Sequence, residues 1–271
     1  MRRVIATQFL RRRDGAPRDS IRSTVRAQGA LRERQLWGQG IASRGRQGGI
    51  LNHLFDKIDR LADQLQRAES DCILALVAAV EARDPYTRRH SINVATMART
   101  LARRMGRPRT EIEDLVVAAL LHDIGKLAVP DAILHKPGPL TAEEFDLITE
   151  HPVAGAAMLR PAGFLNRVVP LVLHHHEWYD GTGYPHGVKG ERIPLGARIL
   201  QVADCIDAMM TPRSYKRSLG VEEVIQEFRR YRGRQFDPAI ADVAIDWLSG
   251  RGEPLRATAD DDRQAIPFPV A

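Results

Sequence analysis

The sequence predicts an all-α protein: a helical bundle preceded by an N-terminal linker helix and a disordered basic tail. Apolar residues recur at three- and four-residue steps from about Ile50 to Gly250, the period of a helix face. Helix starts and stops punctuate that stretch. Thr110-Glu111-Ile112-Glu113 and Thr141-Ala142-Glu143-Glu144 fit the capping box, and Gly106 and Gly125 stand where helices should end. No segment alternates apolar and polar residues between turn glycines, so strands are few or absent.

The elements follow in order. Residues 1–48 are rich in Arg, Gly, Gln and Ser with weak periodicity, and read as a disordered tail. Residues 49–71 form the linker helix. Leu51, Leu54, Ile58, Leu61 and Leu65 make a narrow apolar stripe of the kind a coiled-coil seam presents, which suggests a homodimer paired through residues 51–65. Packing on its own domain is the plainer alternative. Residues 72–250 form the helical domain. Residues 251–271 are polar, acidic and proline-punctuated, and read as a flexible C-terminal tail.

Charge is unevenly placed. The chain has 271 residues and a formal charge of +6, but residues 1–50 hold twelve Arg against Asp14, Asp19 and Glu33. That segment carries +9 and leaves about −3 for the rest, so the basic balance belongs to the tail. A basic arm can touch nucleic acid or anionic lipid, but a solvated extension explains it better, which argues against nucleic acid as a partner. Cys72 and Cys205 do not make a disulfide framework and suit a reducing compartment. The longest apolar run, Cys72 to Val80, falls far short of a membrane span. With no secretory core and cleavage site at the N-terminus, the expected location is the cytoplasm.

Within the helical domain, ionisable residues of metal-binding type sit on apolar helix faces. His90 shares a face with Val94, Met97 and Leu101. Alone, such a histidine is more often structural, bonded to a carbonyl. Leu115 to Leu121 is almost wholly apolar, hence buried, and ends in His122-Asp123. Two adjacent ionisable groups at a buried helix end are costly unless something neutralises them. His151, read alone, is as readily an exposed helix-end residue as a ligand. His175 and His176 continue the face of Leu171 and Val172, whereas His174 points to solvent or to the surroundings of the ligands. Asp204 and Asp207 share a face with Ala197 and Leu200, where carboxylates call for a cation.

His90, His122, Asp123, His151, His175, His176 and Asp204 are more ligands than one ion with an open position accommodates. Two divalent ions are the economical reading, with Asp123 as the natural bridge. Such a pair lowers the pKa of a shared water and favours in-line displacement at phosphorus.

His122-Asp123-Ile124-Gly125-Lys126, followed by His175-His176-Glu177-Trp178-Tyr179-Asp180-Gly181-Thr182-Gly183-Tyr184-Pro185, resembles the HD-GYP subclass of the HD phosphohydrolase superfamily. The resemblance extends from about Cys72 to Leu248. It includes Asp84-Pro85-Tyr86-Thr87 before His90-Ser91, Lys136-Pro137-Gly138-Pro139-Leu140-Thr141, and Ala197-Arg198-Ile199 leading to Val202-Ala203-Asp204. It implies an HD-domain helical bundle that hydrolyses cyclic di-GMP, with pGpG or GMP as the end product, through a hydroxide bridging two metals, iron or manganese. By that resemblance His90, His122, Asp123 and Asp204 hold one ion, and Asp123, His151, His175 and His176 the other.

Some members bind a third metal through a glutamate ahead of a Tyr-Thr pair. Asp84-Pro85-Tyr86 stands there instead, which favours two, although Glu81 and Asp84 are near. Catalysis falls to Asp123 and Lys126. Substrate binding falls to Lys126, Asp207, and Arg213 and Lys216 of Arg213-Ser214-Tyr215-Lys216, where Ser214 replaces a common proline. Gly183, Tyr184 and Pro185 form a loop linked in the family to diguanylate cyclase (GGDEF) partners, with a packing role for Tyr184 as the alternative. Asp180 fixes the loop. The leading function is a cyclic di-GMP phosphodiesterase. The alternatives are a non-catalytic cyclic di-GMP receptor and an HD phosphohydrolase of another cyclic dinucleotide.

Overall fold

The computed structural model describes residues 47–83, 87–211 and 218–250, with side chains over 52–83, 90–211 and 218–250. Expectations that fall on the 1–46 tail, Asp84–Tyr86, Arg213–Lys216 and 251–271 lie outside the described residues. The described residues contain helices and one isolated bridge, Arg232 with Phe236, and no strand. The helices are α1 (Gln47–Arg83), α2 (Thr87–Arg104), α3 (Arg109–Leu121), α4 (Asp131–Leu134), α5 (Ala142–Thr149), α6 (His151–Leu159), α7 (Val169–Leu173), α8 (Leu195–Met210), α9 (Val221–Tyr231) and α10 (Pro238–Leu248). Three short 3-10 turns, at Ile124–Ala128, Gly163–Leu165 and Gly190–Arg192, connect some of them.

The chain divides between Gln64 and Leu65 into two units. In the first, every described side chain of α1 is exposed, including Leu54, Phe55, Ile58 and Leu61. The second unit starts with the remainder of α1, whose apolar face turns inward at Ile73, Val77 and Val80. Arg83 at its end donates to the carbonyls of Leu127 and Val129 and pairs with Asp131 at 2.9 Å, anchoring the segment that follows the His122-Asp123 pair.

The centre of the second unit is α2 packed on α3 and α8. Val94, Ala98 and Leu101 of α2, Ala118 and Leu121 of α3, and Ala197, Leu200, Val202, Ala203 and Ile206 of α8 are all fully buried. Alanines along these faces let the helix axes approach closely. Each buried Leu or Ile contributes roughly 1.5–3 kcal/mol relative to exposure. Leu115–Leu121, expected to be buried from its apolar run, is buried at every position except Val117, which is partly so.

Local signals had mixed success. Thr141 caps α5: its hydroxyl accepts from Glu144 N at 3.3 Å, and the Glu144 carboxylate accepts from Thr141 N at 2.7 Å. Thr110 does not cap α3. That helix begins at Arg109 after Pro108, whose fixed φ and missing N–H suit a helix entrance, so Thr110 lies inside the first turn. Gly106 ends α2 with a φ of 65°, as a stop glycine should.

Gly125 ends nothing. It lies buried in the 3-10 turn Ile124–Ala128, where an added Cβ would fall 1.8 Å from the carbonyl oxygen of His151 and 2.6 Å from Gly155 N. The side chain is absent so that the Asp123–Lys126 turn can lie against the first turn of α6. Gly125→Ala should therefore force the two segments apart and destabilise the domain by about 3 kcal/mol or more, read from chemical denaturation. A loss under about 1 kcal/mol would contradict this close packing.

Candidate metal centre

Seven side chains from α2, α3, α6, α8 and two inter-helix turns converge at the buried ends of these helices. His122 follows the last residue of α3 and Asp123 opens the next turn. His151 is the first residue of α6 and is 2% exposed, which excludes the exposed helix-end reading. α7 stops at Leu173, so His175 and His176 extend from the turn after it and not from a helix face. His90 projects from α2 and Asp204 from α8, facing one another with His90 Nε2 3.3 Å from Asp204 Oδ1.

The tautomers follow from hydrogen-bond chemistry. His122 Nδ1 lies 2.7 Å from Ala119 O, His151 Nδ1 2.8 Å from Ile148 O, and His175 Nδ1 2.7 Å from Val172 O. A carbonyl only accepts, so each Nδ1 carries the proton and donates it. Each Nε2 is then left with a lone pair, and all three lone pairs belong to buried rings of one cluster. His151 Nε2 and His175 Nε2 stand 3.4 Å apart with no proton between them. Two facing lone pairs repel; a cation between the ligands turns that repulsion into coordination. This donor arrangement fits divalent metal ions held by imidazole and carboxylate.

Three sets of donors each lie within 4.8 Å of one another: His90, His122 and Asp204; His151, His175 and His176; and His122, Asp123 and His175. Asp123 joins them. Its Oδ2 lies 3.3 Å from His122 Nε2 and 4.0 Å from His90 Nε2, and its Oδ1 lies 3.5 Å from His151 Nε2. Lys126 Nζ donates to the same Oδ2 at 2.6 Å.

Electrostatics agree with a set of ligands in their metal-binding forms. Burial, aided by neighbouring imidazoles, holds His175 well below the ordinary histidine value and lowers His176 to about 3, so both are neutral at physiological pH. His151 is lowered chiefly by burial too. Burial opposes the ionisation of Asp123 and Asp204, but facing histidines, and Lys126 at Asp123, hold both carboxyls well below the usual range. His90 is the exception. Burial lowers it, yet hydrogen bonds and charge from Asp204 and Asp207, with Asp123 beyond, raise it to about 10.

Asp207 was expected among the substrate-binding groups. The structure instead places it 2% exposed and facing protein: Oδ2 is 2.7 Å from His90 Nδ1, and Oδ1 accepts from Asn93 Nδ2 at 2.8 Å and from Thr211 Oγ1 at 3.2 Å. It orients His90 and has no free face for a substrate. Asn93 was not singled out from the sequence, because an amide three residues after a histidine carries no distinctive pattern. Two further groups went unread. Gln201 Nε2 donates to Glu177 O at 2.6 Å, and the 1% exposed Glu177 accepts from His186 N and Val188 N at 2.8 and 3.0 Å. Glu177 thus holds the loop that follows the histidine doublet.

That loop is tight. A Cβ on Gly183 would fall 2.1 Å from Trp178 N, the Tyr184–Pro185 bond is cis, and Asp180 Oδ1 accepts from Thr182 N and Oγ1 at 2.9 and 2.7 Å. Tyr184 turns its ring onto His176, with centroids 4.8 Å apart, and meets the half-exposed Phe145 edge-on at 6.5 Å. The geometry favours the packing role for Tyr184.

A sequence model of the HD domain matches residues 64–240. The chain belongs to the HD domain family. This HD domain is 41% identical over 189 residues to a cyclic di-GMP phosphodiesterase of Pseudomonas aeruginosa, covering 69% of this chain and 45% of that protein. It is 37% identical over 187 residues to a cyclic di-GMP phosphodiesterase response regulator of Xanthomonas campestris, covering 68% and 49%. It is 36% identical over 194 residues to a 3'3'-cGAMP-specific phosphodiesterase of Vibrio cholerae, covering 71% and 37%. The chain thus spans about half the length, or less, of the curated relatives it matches. The crystal structure of a cyclic GMP-AMP-specific phosphodiesterase of Vibrio cholerae shares its fold, with a TM-score of 0.52 at 21% identity over 72% of this chain and 52% of that one. Among the described residues, no helix is long and apolar enough to cross a membrane.

Because Asp207 fixes the ring of His90, Asp207→Asn should weaken metal binding by about tenfold or more while leaving the fold intact. Competition against a chelator, followed by metal analysis, reads the change. Unaltered affinity would show that His90 needs no such support.

Proposed function

We propose that this HD domain is a metal-dependent phosphodiesterase that hydrolyses cyclic di-GMP to pGpG, with GMP as the alternative end product. The observation that carries the reading is the cage of buried Nε2 lone pairs and carboxylates around Asp123. In it, His90, His122, Asp123 and Asp204 would hold one ion, and Asp123, His151, His175 and His176 a second, iron or manganese. When bound, such ions activate water for attack at phosphorus and neutralise the charge that develops there.

The chain's own residues do the rest. Lys126, 26% exposed and bonded to Asp123, would meet a phosphate oxygen with its ammonium. Arg213 and Lys216 would supply cations for the second phosphate of a cyclic dinucleotide. Asp207 and the carbonyls of Ala119, Ile148 and Val172 hold imidazoles in one tautomer and orientation. Phe145, half-exposed at the edge of Tyr184, would offer aromatic surface on which a purine base can stack.

Two partner expectations join this proposal. A diguanylate cyclase would engage the Gly183–Pro185 loop by its outer edge, since Tyr184 faces inward. A second copy would pair through Leu54, Ile58, Leu61 and Leu65, whose side chains are exposed. A second substrate reading, 3'3'-cGAMP, is supported by the 36% identical Vibrio relative.

The full chain loaded anaerobically with iron, or with manganese, should turn over cyclic di-GMP, and a panel including 3'3'-cGAMP ranks the substrates. Asp123→Ala should lower kcat on the order of a thousandfold with loss of bound metal. Lys126→Ala should lower it about a hundredfold with metal retained. No hydrolysis of any cyclic dinucleotide by metal-replete protein, with binding preserved, would leave the receptor reading in its place. Separately, Phe145→Ala should raise KM for the dinucleotide about tenfold. Turnover of bis(p-nitrophenyl) phosphate, which carries no base, should stay as in the wild type; an equal effect on both substrates would remove Phe145 from base recognition.

A further inference from the structure

A second cluster of metal-ligating side chains lies outside the cage. His174, Glu177 and His186 each offer a donor atom, and the three donors lie within 4.8 Å of one another. His174 directly precedes the His175-His176 doublet, but its ring turns elsewhere. His175 packs with His122, His151 and His176, whereas His174 faces His186 with ring centroids 5.5 Å apart.

Three observations distinguish this cluster from an ordinary surface group of polar residues. His174 Nδ1 is buried and makes no hydrogen bond of good geometry, its nearest acceptor being Glu177 Oε1, a condition native proteins rarely leave standing. Glu177 has a fully buried carboxylate, and each of its oxygens already accepts one backbone N–H, from His186 and from Val188. Each oxygen keeps a further lone-pair direction, so the group can serve a cation without giving up those bonds. Finally, His174 Nδ1 and Glu177 Oε1 stand 3.5 Å apart. Two ligands at zinc distances across a tetrahedral angle are separated by about 3.4 Å. The spacing is long for a hydrogen bond and matches shared coordination.

We propose that His174, Glu177 and His186 form a separate binding site for a single divalent transition ion of zinc type, with two imidazoles, one carboxylate and a solvent position open at the exposed His186. Tetrahedral zinc takes two imidazoles and one carboxylate with water as the fourth ligand. The position gives it a purpose. His174 caps the end of α7 and His186 follows the Gly183–Pro185 loop, so one ion would tie both ends of the segment that carries His175, His176 and Tyr184. The site is built on residues apart from the seven of the cage, and it stands whether or not the chain hydrolyses cyclic dinucleotides.

Zinc and cobalt also enter imidazole–carboxylate cages, so the experiment counts ions. The full chain is dialysed against zinc and its bound metal measured for the wild type and for His186→Gln, a substitution at an exposed residue whose backbone bond to Glu177 survives. The variant should hold one equivalent less, with an unchanged circular dichroism spectrum. In the cage variant His122→Ala/Asp123→Ala, cobalt(II) should still give one equivalent with the absorption of a tetrahedral ion. Adding His186→Gln to that background should abolish it. Equal zinc content in wild type and His186→Gln overturns the proposal, whatever the behaviour of the cage variant. So does a cobalt signal in the folded cage variant that is untouched by His186→Gln.

Discussion

The interaction on which the site depends is a local hydrogen bond repeated three times: an imidazole Nδ1–H donated to the carbonyl three residues earlier. His122, His151 and His175 each make it, to Ala119, Ile148 and Val172. In each case the accepting carbonyl belongs to a residue in the last turn of a helix. The bond fixes the tautomer and aims Nε2 away from the helix. A buried helix end therefore leaves the histidine with a fixed, inward-facing lone pair. The same bond on an exposed end would compete with water and orient nothing.

Around these imidazoles the rest of the domain supplies charge and rigidity. Asp123 is negative because histidines and Lys126 surround it despite its burial. Its two oxygens point toward different histidines, so it lies between the two groups of donors. His90 is held from the opposite side by Asp207, itself braced by Asn93 and Thr211. The fully packed α2–α3–α8 centre keeps these parts in register, since interiors of this density yield little to local strain. Gly125 lets the turn after Asp123 meet α6 at backbone contact, which brings His151 to the other side of the same carboxylate.

Residues just behind the ligands form a further layer. Glu177 clamps His186 and Val188, and Gln201 holds the Glu177 carbonyl, so the backbone immediately after the histidine doublet is fixed from α8. Tyr184 then lies over His176 with Phe145 at its edge.

The sequence by itself determined the helical class, the buried α3 run and the chemical types of the seven candidate ligands. Those features are written in spacing and polarity, which act locally: an apolar run ending in His122-Asp123 is anomalous wherever it folds. The capping box at Thr141 was readable for the same reason. Tertiary structure alone decided which carboxylate faces the cluster of donors and which braces His90 from behind. Asp204 and Asp207 lie one turn apart on a single face, and only the placement of α2 against α8 gives Asp207 to His90 and Asn93. It also decided that Gly125 is a contact glycine and not a stop. The sequence cannot reveal that distinction, because the opposing carbonyl comes from His151, a residue from another helix. Likewise, the edge-on contact of Tyr184 with Phe145 joins residues remote in the chain. Short-range pattern fixes what a residue can do; the neighbours that long-range folding brings decide what it does.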